Sequence, residues 1–168
     1  MKNTVSLRDY IESIISENPG IHFREIQRKS GAAIGQLEYH LYQLERMEKV
    51  SIRKDGKLKR YFLIGDTGFN ERRILYFLRK GTSKEIILYL LENGYAEPSM
   101  FVTGRRTKRE KIQETIKDLI EQGIVQTTQE GGRKMIYLSE SDKIKSLLKR
   151  FRESFLDSLT SNVLSLLE

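Results

Sequence analysis

Apolar residues recur along this chain in two alternating rhythms. Leu7, Ile11, Ile14 and Ile15 are spaced as one face of a helix, opened by the capping start Ser6-Leu7-Arg8-Asp9 and stopped by Asn18-Pro19-Gly20. A short helix over 22–30 follows, burying Phe23 and Ile26, and Gly31 breaks it. A third helix covers 33–48, with the stripe Ile34, Leu37, Leu41 and Leu44. The helical period then gives way to the two-residue period of a strand. Positions 50–54 alternate, Asp55-Gly56 marks a tight turn, and 59–63 return as a second strand.

The same order comes back 75 residues later. Ile14-Ile15-Ser16-Glu17-Asn18 falls on Tyr89-Leu90-Leu91-Glu92-Asn93, and Leu37, Leu41 and Leu44 fall on Ile112, Ile116 and Leu119. Val50, Gly56, Lys59 and Leu63 fall on Val125, Gly131, Lys134 and Leu138. Thr82-Ser83-Lys84-Glu85 and Thr107-Lys108-Arg109-Glu110 have the form of capping boxes, predicting helices over 82–92 and 108–122. Glu97-Pro98 suits the start of a helix between them, ended by Gly104. Strands at 124–128 and 134–138 flank Gly131-Gly132 as a second hairpin. Three helices and a hairpin, with a short turn between the second and third helices, are the order of a winged helix-turn-helix.

The predicted fold is therefore mainly α with small β-hairpins (α+β). Two tandem winged helix-turn-helix domains occupy 1–65 and 82–138, a connecting loop and helix occupies 66–81, and an amphipathic helix occupies 139–168. That last segment places Ile144, Leu147, Leu148, Phe151, Phe155, Leu159, Val163 and Leu166 on one stripe of a single helix of roughly 25 residues, which needs a partner to cover it. Dimerisation through Leu148, Phe151, Phe155, Leu159 and Leu166 is the first expectation; folding back on the second domain is the alternative.

Charge narrows the partner. The 168 residues hold 30 Lys and Arg against 23 Asp and Glu, a net +7, and the excess lies in the first four fifths of the chain. Such a surface suits a polyanion, either nucleic acid or an anionic membrane face. The last thirty residues carry no net charge, which argues against the membrane. No apolar run approaches the roughly 20 residues of a membrane span, and the first residues lack the apolar centre of a signal peptide. Cysteine is absent, which removes disulfides and thiolate chemistry and fits a reducing, cytoplasmic setting.

Enzyme signatures are missing. His22 and His40 stand without cysteine, so no metal site is expected, and neither a dinucleotide nor a phosphate-loop glycine string occurs. Paired carboxylates such as Glu45 and Glu48 are those of a solvated helix face. No catalytic residue, cofactor or small-molecule effector is expected.

The segment Asn18-Pro19-Gly20-Ile21-His22-Phe23-Arg24-Glu25-Ile26, with Gly35-Gln36-Leu37-Glu38-Tyr39-His40-Leu41 and Leu44-Glu45, resembles archaeal winged-helix transcriptional regulators. It is similar to their subset with two tandem units, and more distantly to the ArsR and MarR groups. The likeness is good over 15–64 and weaker over 80–138. It implies a regulator that binds double-stranded DNA, commonly as a homodimer. In the second unit Arg106-Thr107-Lys108-Arg109 replaces small neutral residues, shifting the expectation there from base reading to phosphate binding or another task.

The contact residues follow from the helical wheel. With Leu37, Leu41 and Leu44 buried, helix 33–48 turns Gln36, Tyr39, Tyr42, Gln43 and Arg46 outward. Gln36, Tyr39 and Gln43 are the candidates for base edges in the major groove, while His40 on the flank is either packed or on a phosphate. Wing one supplies Arg53, Lys54, Lys57, Lys59 and Arg60, and wing two Arg133 and Lys134. Arg105, Arg106, Lys108, Arg109 and Lys111 crowd a helix start that the backbone dipole already makes positive, a place where an anion is expected. Two other readings remain open: a protein-interaction module of a larger transcription or replication assembly, and a replication initiator or architectural DNA binder. The cations of wing one favour DNA.

Overall fold

A computed structural model describes residues 5–168; the first four residues, part of the stretch without a signal-type centre, lie outside the described residues. The chain divides into two units, Met1–Tyr76 and Phe77–Glu168.

In unit 1, Ser6 caps α1 (Leu7–Glu17) by accepting from the Asp9 N–H at 3.2 Å. β1 (Ile21–His22) leads directly into α2 (Phe23–Ser30), which ends at Gly31 in the left-handed region with φ 67°. A short turn then opens α3 (Ile34–Arg46), followed by the hairpin β2 (Val50–Asp55) and β3 (Leu58–Leu63) and by α4 (Phe69–Leu78), in which the boundary between the units falls. The sheet is antiparallel in the order β1-β3-β2. Ile11, Ile14 and Ile15 of α1, Ile26 of α2 and Leu37, Leu41 and Leu44 of α3 close on Val50 and Tyr61 of the hairpin as one core. Each such aliphatic side chain stabilises the unit by about 1.5–3 kcal/mol through its burial. Ile34, expected in this stripe, is instead 55% exposed. It is the first helical residue, and helical side chains lean toward the N-terminus, past the start of the helix, where only small alanines precede it.

Unit 2 runs α5 (Gly81–Asn93), β4 (Tyr95–Ala96), a single 3-10 turn (Pro98–Met100), α6 (Arg106–Glu121), β5 (Val125–Glu130) and β6 (Arg133–Leu138). Its sheet has the order β4-β6-β5. Several pairings recur at an offset of 75 residues. Ile21 pairs with Tyr61 and Ala96 with Ile136; Val50 pairs with Leu63 and Val125 with Leu138. The Asn18 amide donates to Ile14 O at 2.9 Å, and the Asn93 amide to Tyr89 O at the same distance. The turn after the third helix matches as well: Lys49 N donates to Leu44 O at 2.9 Å and Ile124 N to Leu119 O at 3.0 Å, with left-handed Glu48 (φ 54°) and Gly123 (φ 69°) between them.

Neither capping box forms. Helix α5 starts earlier, with Lys80 at the cap position, and Ser83 is buried with its hydroxyl on Phe77 O at 2.6 Å. A hydroxyl inside the core needs a carbonyl more than the helix end needs a cap. Helix α6 starts with Arg105 at its cap, and Glu110 pairs instead with the Arg106 Nε at 2.9 Å. The helix expected after Glu97-Pro98 is only the 3-10 turn.

The C-terminal segment is not one helix. It breaks into α7 (Ser141–Arg150), α8 (Arg152–Phe155), a 3-10 turn (Leu156–Ser158) and α9 (Ser161–Leu166). Phe151 leaves helical geometry at φ −107°, ψ 29°, and Leu159 is extended before Thr160 caps α9. The breaks fold the apolar stripe back on its own unit. Ile144, Leu147, Leu148, Phe151, Phe155 and Val163 are buried; α9 packs on α5, where the Thr160 hydroxyl donates to Glu92 at 2.6 Å. Arg79 lies 4.0 Å over the Phe155 ring and donates to Ser154 O at 3.2 Å. Of the residues expected at a dimer interface, Leu148, Phe151 and Phe155 are buried within the single chain, while Leu166 and, in part, Leu159 stay on the surface. Among the described residues no helix is long and apolar enough to cross a membrane.

Candidate nucleic-acid interface

With Leu37, Leu41 and Leu44 facing the core, α3 holds its opposite face out to solvent. Tyr39 is 59% and Tyr42 53% exposed, and Gln36 and Arg46 are exposed with them. Gln36 also accepts from Ala33 N at 3.4 Å, helping to close a helix start that lacks a polar cap residue. Arg46 donates to the Tyr42 hydroxyl at 3.2 Å, which steadies both. His40 packs edge-on to Tyr39, with ring centroids 5.3 Å apart. His40 and Gln43 are half-buried and line a shallow depression with Tyr39 and Ser6, Leu7 and Arg8 at the start of α1. Gln43 thus lies on the flank of the exposed face, beside His40.

Arg8 escapes a reading by charge clusters because it stands alone in sequence; only its place in the first turn behind the Ser6 cap hints that it meets α3. Next to it, the Asp9 carboxyl is held below the usual carboxylate range, first by its hydrogen bond with Ser6, then by the charges of Arg8 and Lys49.

The hairpin of unit 1 separates two kinds of cation. Side chains alternate across a strand, so Lys54 and Lys59, paired directly across the ladder, share one face. They are exposed, as is Lys57 in the turn, and no carboxylate pairs with any of the three among the described residues. Arg53 and Arg60, also paired across the ladder, share the other face. Arg60 is 6% exposed, with Nε on Asp55 at 2.9 Å and Nη1 on Gly20 O at 3.1 Å. Arg53 stacks 3.9 Å over the Tyr76 ring. Both arginines, expected as phosphate contacts, are engaged within the fold, Arg60 buried and Arg53 half-buried.

In unit 2, Arg105, Arg106, Lys108, Arg109 and Lys111 are all exposed around the start of α6, and no acidic residue stands in its first turn. The Arg106–Glu110 pair is open to solvent, and such a pair contributes little and yields readily to a phosphate. In the second hairpin Arg133 donates to Glu97 at 2.9 Å, so that cation already has a partner; Lys134 is exposed opposite Gln129.

Residues 5–75 match the family HTH_HVO_0163_N, N-terminal HTH domain. Over 134 residues, 80% of the chain, the sequence is 30% identical to the protein named "Uncharacterized HTH-type transcriptional regulator MJ1398" of Methanocaldococcus jannaschii, and the chain spans about a third (34%) of that relative's length. No solved structure matches the chain. The first three helices and the hairpin of unit 1, with the third helix bare on its outer face, are accordingly a helix-turn-helix domain similar to that N-terminal type.

Proposed function

We propose that this chain is a DNA-binding transcriptional regulator whose unit 1 lays α3 in the major groove and sets Lys54, Lys57 and Lys59 on the flanking phosphates. The observation that carries the reading is the rung Lys54–Lys59 beside an exposed α3 face. Like charges directly opposite in a ladder destabilise a hairpin unless an anion neutralises them, and phosphate is the anion a groove-bound helix brings within reach. Gln36 and Tyr39 are the base-edge candidates, with Gln43 and His40 toward the α1 side.

The matched strand registers support reading unit 2 as a second winged helix-turn-helix in tandem, related to the archaeal regulators and to the ArsR and MarR groups. Its crowded cations at α6 suit backbone contact more than base reading. The proposed role involves no catalytic step and no cofactor, and it places the protein in the cytoplasm. A homodimer would have to use surface such as Leu166 rather than the covered tail residues.

Fluorescence anisotropy with labelled genomic duplexes, titrated with salt, tests this. Expected are binding that weakens linearly in log–log form and enrichment of particular sequences on selection. Indifference to duplexes in dilute buffer would overturn it and favour the protein-interaction reading.

A further inference from the structure

We propose that Tyr76 of α4 is a positioning residue for DNA binding: with Arg53 and Asp55 it locks the hairpin of unit 1 at the angle from which Lys54, Lys57 and Lys59 reach phosphate. The proposal rests on the DNA reading above and adds the device that aims the wing.

The need for a lock follows from the sheet. Strand β1 pairs only with Arg60 and Tyr61 of β3, so residues 54–59 form a two-stranded ribbon with no third strand beside it. Such a ribbon is marginal alone, and its angle is not set by the ladder. The face opposite the lysines holds two guanidiniums directly across from each other, at Arg53 and Arg60. Asp55 and Tyr76 resolve that conflict. Asp55 accepts from Arg60 Nε at 2.9 Å and from the Tyr76 hydroxyl at 3.2 Å, while the Tyr76 ring lies under Arg53 at 3.9 Å. Arg60 carries the tie on to Gly20 O at 3.1 Å. Tyr76, 7% exposed, is thus a helix residue gripping the base of the wing through both a charge-assisted hydrogen bond and a cation–π contact.

The second hairpin supplies the contrast. Seventy-five residues on, the lock positions hold Thr128, Glu130, Met135 and Phe151, and the positions of Lys54 and Lys57 hold Gln129 and Gly132. The lock is present where the lysines are and absent where most of them are gone. A wing held in place meets phosphate without first losing the freedom of a mobile ribbon, which is the advantage of preorganisation.

The chain has no cysteine, so Lys57→Cys provides a single site for a fluorophore at the wing tip. Nanosecond anisotropy of that label is compared in the Tyr76, Tyr76→Phe and Tyr76→Leu backgrounds, well below the unfolding transition followed by circular dichroism. Tyr76→Leu is expected to enlarge the label's fast motion. Without the label it should weaken duplex binding by about tenfold while leaving the salt slope unchanged, because the same lysines still engage. Tyr76→Phe keeps the ring under Arg53 and should lose less. If Tyr76→Leu does not fold, Arg53→Met removes the stack from the surface side and carries the same expectation. A tip that stays rigid, or a looser tip with unchanged affinity, overturns the proposal. Wild-type protein that ignores duplexes overturns the DNA reading instead, whatever the label does.

Discussion

Lys59 and Arg60 are neighbours on β3, yet their surroundings make opposite demands. Lys59 is exposed opposite Lys54, with nothing in the fold depending on its charge. Lys59→Ala should reduce the magnitude of the slope of log K against log salt by about 0.9 and leave stability within about 0.5 kcal/mol of the parent. Arg60 is different. Its side chain is 7% and that of Asp55 15% exposed, so Arg60→Ala takes the charged partner from a largely buried carboxylate and a donor from the Gly20 carbonyl. That costs about 3 kcal/mol in urea unfolding. An Arg60→Ala protein of normal stability but flattened salt dependence would reverse the two assignments. The pair also shows why counting cations along the sequence misplaces some of them. Alternation along the strand puts Arg60 on one face and Lys59 on the other, but Gly20 and Tyr76, which decide what Arg60 and Arg53 do, lie far away in sequence.

Among the elements, the C-terminal segment carries the clearest energetic test. Phe155 is buried beneath Arg79 in the single chain. Phe155→Ala should lower the stability of unit 2 by about 3–5 kcal/mol and leave the sedimentation coefficient of the folded protein unchanged. A normal melting curve with a change of oligomeric state would instead restore the interface role. The stripe from Ile144 to Val163 was legible, because burial follows the helical period even across a break. The breaks themselves were not, since neither Phe151 nor Leu159 is a residue type that ends helices; tertiary packing bends the backbone there. The hairpins were legible to within a residue or two at the strand ends, because the period changes near where the strands begin and the glycines stand where the backbone turns left-handed, at Gly56 and Gly131. The exposed face of α3 was legible for the same reason, from the three leucines that fix the opposite side. Arg8 and the Tyr76 lock depend on elements brought together only by folding.

For the molecule as a whole, the positive excess is held by both units and absent from the last thirty residues. Replacing Arg105, Arg106, Lys108 and Arg109 by Gln should reduce the magnitude of the salt slope by about 0.9 for each phosphate left without its cation and weaken all duplexes alike. Changes at Gln36 or Tyr39 should instead reorder the preferred sequences, by about 1–3 kcal/mol per base edge read. Competitive selection with each variant separates the two effects; a reordered ranking from the α6 variant would give unit 2 a part in reading bases. The two units differ at one matching turn. At the bend after α6, unit 2 accommodates left-handed backbone with Gly123, whereas at the bend after α3 unit 1 imposes the same conformation on Glu48. Unit 2 therefore holds a remedy for unit 1: Glu48→Gly should raise the thermal tolerance of unit 1, by about 1 kcal/mol of relieved strain, read as a higher melting temperature.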